Sequence, residues 1–467
     1  MHTGYRRGSL PILLLSALFL IFIESCNDGG SNGNSSNPSN PSIKEWSTAE
    51  SIQTSNADDS YSPQVAMGRS GKAIAVWQQH EGTRNKIRAN YYNGTSWGID
   101  ELLENDDAYD AFAPQIAMDS GGNAMAVWSQ YDGQYYSIYA NYFDGSAWSG
   151  AELIETTNTG HAQKPQVAMD GEGKAIAVWQ QTSGIWVNYF DPGAEGNGDE
   201  EGTGKWGTAV PIGSDKVDSP QIAMNNDGKA MVVWSRQQSF PYDIYADYYD
   251  GTSWSGAKVI DSNDDGNAYS PQIAIDADGN AIAVWQQYNG FRYNVWANYF
   301  DVVTEEEAAA DEEAVNEWGI AYLIENYNTG DAVMPQIAMN GAGTAMAIWS
   351  QSDGSRYNIW TKFFNGTSWD TAELLEADDV GDASLPQIAM DANGNAMAVW
   401  LQFDGMQYSL YANYFDRISW DDAELLETDN AGDADVPRIS MDSTGHAMAV
   451  WLQFDGMQYS VYANGFQ

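Results

Sequence analysis

One unit of sequence recurs eight times in this 467-residue chain, and the series is cut open in the middle of a unit. The unit reads Trp-x-x-Ala-Glu-Leu-Ile-Glu, an acidic turn, Pro-Gln-Ile-Ala-Met-Asp, a Gly turn, Asn-Ala-Met-Ala-Val-Trp, and Tyr-Ala-Asn-Tyr-Phe. Its Pro returns at Pro63, Pro114, Pro165, Pro220, Pro271, Pro335, Pro386 and Pro437. The series starts on the Trp segment at Trp46 and stops after Tyr462-Ala463-Asn464, so the fragment the last unit lacks stands at the front. An open array needs caps at its ends, whereas a closed ring needs its first strand to complete its last blade. The offset predicts an all-β fold: an eight-bladed β-propeller of four-stranded blades over 44–467. The segment Glu45 to Gln53 is expected to close the ring as the outer strand of the last blade.

Successive Pro positions are 51, 51, 55, 51, 64, 51 and 51 residues apart, the length of one four-stranded blade. Each unit divides into four runs: A (Pro-Gln-Ile-Ala-Met), B (Asn-Ala-Met-Ala-Val-Trp), C (Ile-Tyr-Ala-Asn-Tyr-Phe) and D (Trp-x-x-Ala-Glu-Leu-Ile). Run B is apolar on both alternating faces, with Ala124, Ala126 and Trp128 on one and Met125 and Val127 on the other. That is the pattern of a strand buried on both sides, as between two neighbouring blades. Run D carries Glu and alternates, as an outer strand should. Turns such as Asp391-Ala392-Asn393-Gly394 (A to B) and Asn93-Gly94-Thr95-Ser96 (C to D) read as hairpins. Two units carry acidic insertions in the C–D turn, Asp191 to Lys205 and Asp301 to Glu317. Sixteen Trp fill two columns, one closing run B and one opening run D, and are read as packing.

The first 43 residues do not fit the repeat. Arg6 and Arg7 precede an apolar run from Leu10 to Ile23, too short to span a bilayer comfortably and suited to a signal-peptide h-region. It ends Ile23-Glu24-Ser25-Cys26, which resembles a bacterial lipobox and holds the chain's single cysteine. Residues 1–25 are therefore expected to be a lipoprotein signal peptide and Cys26 the lipidated residue. The Asn/Ser/Gly/Pro-rich stretch 26–43 reads as a flexible tether. This places the protein in the cell envelope, held outside the cytoplasm by its lipid alone, at the outer membrane's periplasmic side or the cell surface.

The net charge is −45, or −46 once Arg6, Arg7 and Glu24 leave with the signal peptide. Such a charge opposes binding to nucleic acid and to anionic headgroups, and it permits cationic partners and divalent ions.

The unit resembles repeats of bacterial secreted or lipid-anchored β-propeller proteins over nearly all of 44–467. It is distantly similar to sialidase-type propellers, whose Asp-box reads Ser/Thr-x-Asp-x-Gly-x-x-Trp. The box is not matched: Gly394 and Trp400 follow Asp391 by three and nine residues. The resemblance implies a fold and a location and carries no sialidase activity with it.

In a propeller the D–A and B–C connections share one face, and both are informative here. Four residues before the Pro stand Asp59, Asp110, Asp331, Asp382 and Asp433, with Asn267, His161 and Lys216 in the other units. Oxygens clustered around a Gly turn suit Ca²⁺, and they equally suit the backbone of the turn itself. The B–C turns carry a variable column that includes Arg84, Tyr135, Arg292, Arg356, Gln407 and Gln458. A mostly Tyr column follows, including Tyr136, Tyr242, Tyr293, Tyr357, Tyr408 and Tyr459. Tyr beside Arg, Gln and Asp suits a polysaccharide, a protein partner, or plain packing of blade on blade. Arg84, Arg292 and Arg356 share one column and could clamp a carboxylated sugar. Run A supplies seven Gln, expected to tie strand ends by amide hydrogen bonds, and one exception, Arg438. The four His share no column, and no nucleophile elbow, zinc spacing or phosphate loop occurs. The expectation is a monomeric binding or interaction module that is not an enzyme; the alternative is a glycan-active enzyme of sialidase-like architecture.

Overall fold

The computed structural model describes residues 44–467 except 55–57, 106–108, 183, 195–204, 215, 238–240, 262–265, 304–315, 326–329, 377–380 and 429–431. Lys44–Gln467 forms one compact unit. It contains eight antiparallel sheets, each built on the A-B-C-D order. Neighbouring sheets touch in sequence order, and the sheet of blade 8 returns to blade 1, so the ring is closed. Among the described residues no helix is long and apolar enough to cross a membrane. Cys26 and the segments 1–25 and 26–43 lie outside the described residues.

Blade 2 shows the plan. Ala111–Met118 (A) pairs with Ala124–Tyr131 (B), which pairs with Tyr136–Phe143 (C), which pairs with Glu152–Leu153 (D). Strand B is buried on both faces because it is sandwiched between sheets. Its closing Trp is fully buried in every blade. A buried indole N–H needs an acceptor. In seven blades it donates to the Gln two residues on, as Trp451 does to Gln453 Oε1 at 2.9 Å. That Gln passes its own amide N–H to the D–A loop, as Gln453 does to Gly432 O and Gln79 to Asp58 O. The core thereby fixes the loops of the functional face. Blade 4 departs from this: Arg236 replaces the Gln and lies 4.9 Å over the ring of Tyr245.

Run D is shorter as a strand than its sequence pattern suggests. In six blades its Trp forms an isolated bridge to the last residue of strand C, and a short ladder, such as Glu101–Leu102 or Glu152–Leu153, begins four positions later. Where the ladder stops, the next Glu turns inward and its carboxylate takes over as acceptor. Ile87 N–H donates to Glu104, Ile359 to Glu376 and Leu410 to Glu427. These Glu are buried. Burial pushes Glu155, Glu325 and Glu427 up to about 7.

The ring closes as the offset predicts. Glu50 and Ser51 pair with Ala463 and Tyr462, and Trp46 bridges Phe466 with ring centroids 5.4 Å apart. Glu45 and Gln467 exchange backbone hydrogen bonds of 3.1 and 3.3 Å. In blade 8, Gln53 stands in the buried Glu column. Its Oε1 accepts from Val461 N–H at 3.0 Å and its Nε2 donates to Ser460 Oγ at 2.9 Å.

Candidate functional site

Both sets of connections expected to share a face do so, because hydrogen bonds join them. In five blades the Asp that precedes strand A accepts a backbone N–H from the start of strand C in the preceding blade. Asn85 donates to Asp110 and Tyr293 to Asp331, both at 2.8 Å. Tyr357 donates to Asp382 and Tyr408 to Asp433 at 2.8 Å, and Tyr459 to Asp59 at 2.9 Å. Asn267 accepts from Tyr242 and His161 Nδ1 from Tyr136 in the same way. The column is a blade-to-blade latch.

This geometry assigns the five Asp a structural task and does not bring them together, since each belongs to a different seam. Among the described residues no group of three or more His, Cys, Asp or Glu could hold a metal ion. Asp378, Asp379, Asp429 and Asn430 of the same turns lie outside the described residues.

The three Arg of the shared column are likewise not assembled. Arg84 sits in blade 1, diametrically opposite blade 5, which carries Arg292; blade 6 carries Arg356. Arg84 reaches Asp110 at 3.6 Å, Arg356 reaches Asp353 at 3.9 Å, and Arg292 Nε donates to Asn294. One small carboxylate cannot meet all three. Tyr135 stands edge-on to His161 at 5.4 Å. Tyr293, Tyr408 and Tyr459 each lean on the aromatic residue that ends their own strand B, namely Tyr288, Phe403 and Phe454, at about 5.3–5.4 Å. Tyr357 is half-buried at its seam, and burial raises its hydroxyl.

The amide ring expected of run A does not form. Among the described residues the run A Gln side chains make no hydrogen bonds to one another. They are half-exposed, where water serves an amide as well as a neighbour does. The single such contact is Arg438 Nε to Gln64 Oε1 at 3.2 Å, with Arg438 Nη1 donating to Pro437 O. Burial pushes the Arg438 guanidinium down to about 10, so it keeps its charge at neutral pH.

Two features of this face were not read from the sequence. Every strand A carries a bulge just before its Pro, and the bulged residue is never Gly yet has φ of 48–55°. These residues are Ser62, Ala113, Lys164, Ser219, Ser270, Met334, Leu385 and Val436. A left-handed residue before Pro is strained, on the order of 1–2 kcal/mol each. Bulges re-aim side chains at strand ends. Here they put a varied pair of residues on the loop-face end of each inner strand: Tyr61-Ser62, Phe112-Ala113 and Tyr269-Ser270 in three blades, Gln163-Lys164 and Asp218-Ser219 in two, and Val333-Met334, Ser384-Leu385 and Asp435-Val436 in the rest. The sequence signal was available, as two variable positions inside an otherwise repeated run. The second feature is at the B–C hairpin tips, where Phe291, Met406 and Met457 are 93%, 91% and 90% exposed.

The opposite, C–D face holds clefts between blades. The one between blades 3 and 4 measures about 430 Å³ and is lined by Tyr189, Trp206, Tyr249, Asp170, Lys174 and Asp227, among others, with Asp191, Ala194 and Lys205 contributed by the blade 3 insertion.

No protein-family model and no curated protein matches the chain. Similar solved structures include a protein of unknown function from Dyadobacter fermentans, 10% identical, covering 91% of this chain and 99% of its own, with a TM-score of 0.43. A sialidase from Streptococcus pneumoniae is 11% identical and covers 89% of this chain and 69% of its own, with a TM-score of 0.37. An α-L-arabinofuranosidase from Fusarium graminearum is 11% identical and covers 78% of this chain and 95% of its own, with a TM-score of 0.40.

Proposed function

We propose that this β-propeller is a binding module of the cell envelope that presents its B–C/D–A face to a protein partner. The observation that carries this is the set of exposed apolar side chains at the B–C hairpin tips. Buried Trp, Gln, Glu and Asp repeat from blade to blade and are used up in holding the ring. Positions that change stand at the B–C tips and at the bulges before Pro, and there a strongly acidic protein exposes Phe291, Met406 and Met457; the opposite rim varies too, through its two insertions and the exposed Ile418. Met and aromatic side chains at exposed hairpin tips are the composition of an interface core. Cys26 and the tether are read as the anchor.

Photo-crosslinking residues placed at Met406 and Met457 should capture one partner in envelope preparations, and a probe at Ser146 on the opposite rim should not. Equal capture from both rims would end this reading. Cys26→Ser should move the protein from the membrane to the soluble fraction; unchanged retention would remove the anchor.

A second reading is favoured by one observation, the mixed aromatic and charged lining of the 430 Å³ cleft between blades 3 and 4. Tyr and Trp faces with carboxylates and Lys suit a sugar. A glycan array and a glycosidase screen, run beside Trp206→Ala, would reveal it.

A further inference from the structure

Seven of the eight seams between blades are closed on the C–D side by the same pair of rings. The next-to-last aromatic of strand C in one blade leans on the last aromatic of strand C in the following blade. The pairs run from Tyr91–Phe143 and Tyr142–Phe190 round to Phe363–Phe415 and Tyr414–Phe466. All seven have centroids 4.8–5.9 Å apart and planes inclined 37–46°. At the eighth seam, between blades 8 and 1, the first ring is missing. Gly465 occupies its position and faces the place beside Tyr92.

Nothing in the backbone demands Gly there. Gly465 has no positive φ, and a Cβ built on it would meet Met448 Cε at 3.4 Å, an ordinary contact. A cavity of about 330 Å³ lies there, against about 110 Å³ at the seam where Phe363 and Phe415 are both present; the blade 3–blade 4 cleft reaches about 430 Å³ with both its rings in place, but its walls include residues of the blade 3 insertion. The size of the blade 8–blade 1 cavity falls at the lower end of small-molecule sites, roughly 300–1,000 Å³. Tyr92, Trp97 and Met448 supply apolar walls, and Ser47, Thr48 and Glu50 of the closing strand supply the polar lip.

We infer that the blade 8–blade 1 cavity binds one small aromatic ring that carries a hydrogen-bonding edge, a free phenol or indole. The seven filled seams define the guest as a planar ring leaning on Tyr92. The lip defines its edge as a neutral donor, because Glu50 and a net charge of −45 disfavour an anionic one. The chain's own tether is no candidate, since residues 27–43 contain no Phe, Tyr or Trp. A guest here touches both the closing strand and blade 1, so its binding stabilises the closed ring by mass action. The inference does not depend on what the opposite face binds.

The test uses the full-length protein or its soluble Cys26→Ser form, titrated with p-cresol and with indole, and with benzoate as the anionic control. Saturable heat of binding and a rise in Tm are expected for p-cresol or indole, with benzoate at least about tenfold weaker. Gly465→Tyr should restore the eighth ring pair, melt no lower than wild type and lose the response. Gly465→Ala should keep it. An equal response in Gly465→Tyr, or no saturable response in wild type, overturns the site. A Gly465→Tyr protein that cannot fold also overturns it, since the seam would then have no room for a ring.

Discussion

The seam between blades 8 and 1 differs from the other seven, although the chain crosses it by a D–A link as it crosses the others; the only joint of the ring without a covalent link lies inside blade 8, between its strand C and the closing strand. The other seven seams are tightened by ring pairs, and their outer strands end in a buried Glu or Asp, save in blade 3, where Gly213 stands at that position. The closing seam lacks its ring pair, and its blade ends in Gln53. It gains polar stitches in exchange. Ser440 stands where the other seven units have Ala, and its Oγ accepts Met67 N–H at 3.1 Å. Arg438 reaches Gln64, Gly71 N–H reaches Asp442 Oδ2 at 3.0 Å, and Gln467 Nε2 reaches Tyr92 OH at 3.1 Å. The difference teaches that a seam without its ring pair can be held by directional bonds that fix register.

The most severe way to break the comparison is to remove the closing strand. Deleting 27–43 should be nearly neutral in a melting experiment. Deleting 27–53 leaves strand C of blade 8 as an open edge, and the protein should lose its cooperative transition or aggregate. A monomeric, equally stable long deletion would mean the ring does not need closing.

Single side chains come next. Trp451→Ala empties a fully buried site and should cost about 3–5 kcal/mol in denaturant unfolding. Trp46→Ala removes a half-buried ring packed at a tilt against Phe466 and should cost less, roughly 2 kcal/mol. If Trp46→Ala costs as much as Trp451→Ala, the closing strand is as tightly packed as the inner strand B of the same blade.

The buried Glu column gives a prediction in pH. Folding raises Glu155, Glu325 and Glu427 from 4.5 to about 7, so the folded state binds more protons than the unfolded one between those values. Their contribution to stability is fully present below about 4.5 and is lost as pH rises through about 7. Asp442 behaves oppositely. Burial alone would raise it, but hydrogen bonds from Thr444, His446 and Gly71 bring it to about 2, so its contribution is lost as pH falls from 3.8 towards 2. The ring should be most stable near pH 4–5. Glu427→Gln, which copies Gln53, should flatten the decline and stabilise the protein at pH 8 by up to about 3 kcal/mol at 1.36 kcal/mol per pKa unit. Gln53→Glu should steepen it. Melting curves from pH 4.5 to 8 that are the same for both variants would refute the account.

The smallest effect is expected at the stitches. Ser440→Ala returns blade 8 to the common pattern and leaves the N–H of Met67 without its acceptor, a loss of about 1 kcal/mol. The same loss from an Ala→Ser change at another seam, Ala389→Ser, is not expected.

The blades and their closure were legible because both follow from period and offset, which are properties of the string itself. The latch was half legible: Asp59, Asp110, Asp331, Asp382 and Asp433 stood out as a column, but the sequence shows oxygens without their donors. The donors are backbone N–H groups in another blade, 25 residues upstream for Asp110, Asp382 and Asp433 and 38 for Asp331, and for Asp59 the donor lies 400 positions away. The arginine clamp failed for a related reason. A shared column in a repeat means equivalent places on different blades, and a ring holds such places apart. Glu427 and its counterparts read as solvated residues of an alternating strand. They are buried because the D ladder is only two residues long and their carboxylates finish it. Gly465 reads as drift in one unit until its cross-seam neighbour is known.

Closure by the first strand also sets the order of events in folding. Ser47 and its partner Asn464 are 417 positions apart, whereas each blade's hairpins join neighbours in sequence. Hairpins and adjacent blades can form as local, low-contact-order units, and the final pairing must wait until the last residues exist. The entropic penalty of that wait is modest. Loop-closure entropy grows with the logarithm of length, so joining ends eight repeats apart costs about three doublings more than joining ends one repeat apart, roughly 2 kcal/mol. The delay is therefore mainly kinetic: an almost complete ring, with its last edge still bare, is the species most open to pairing with a second copy of itself.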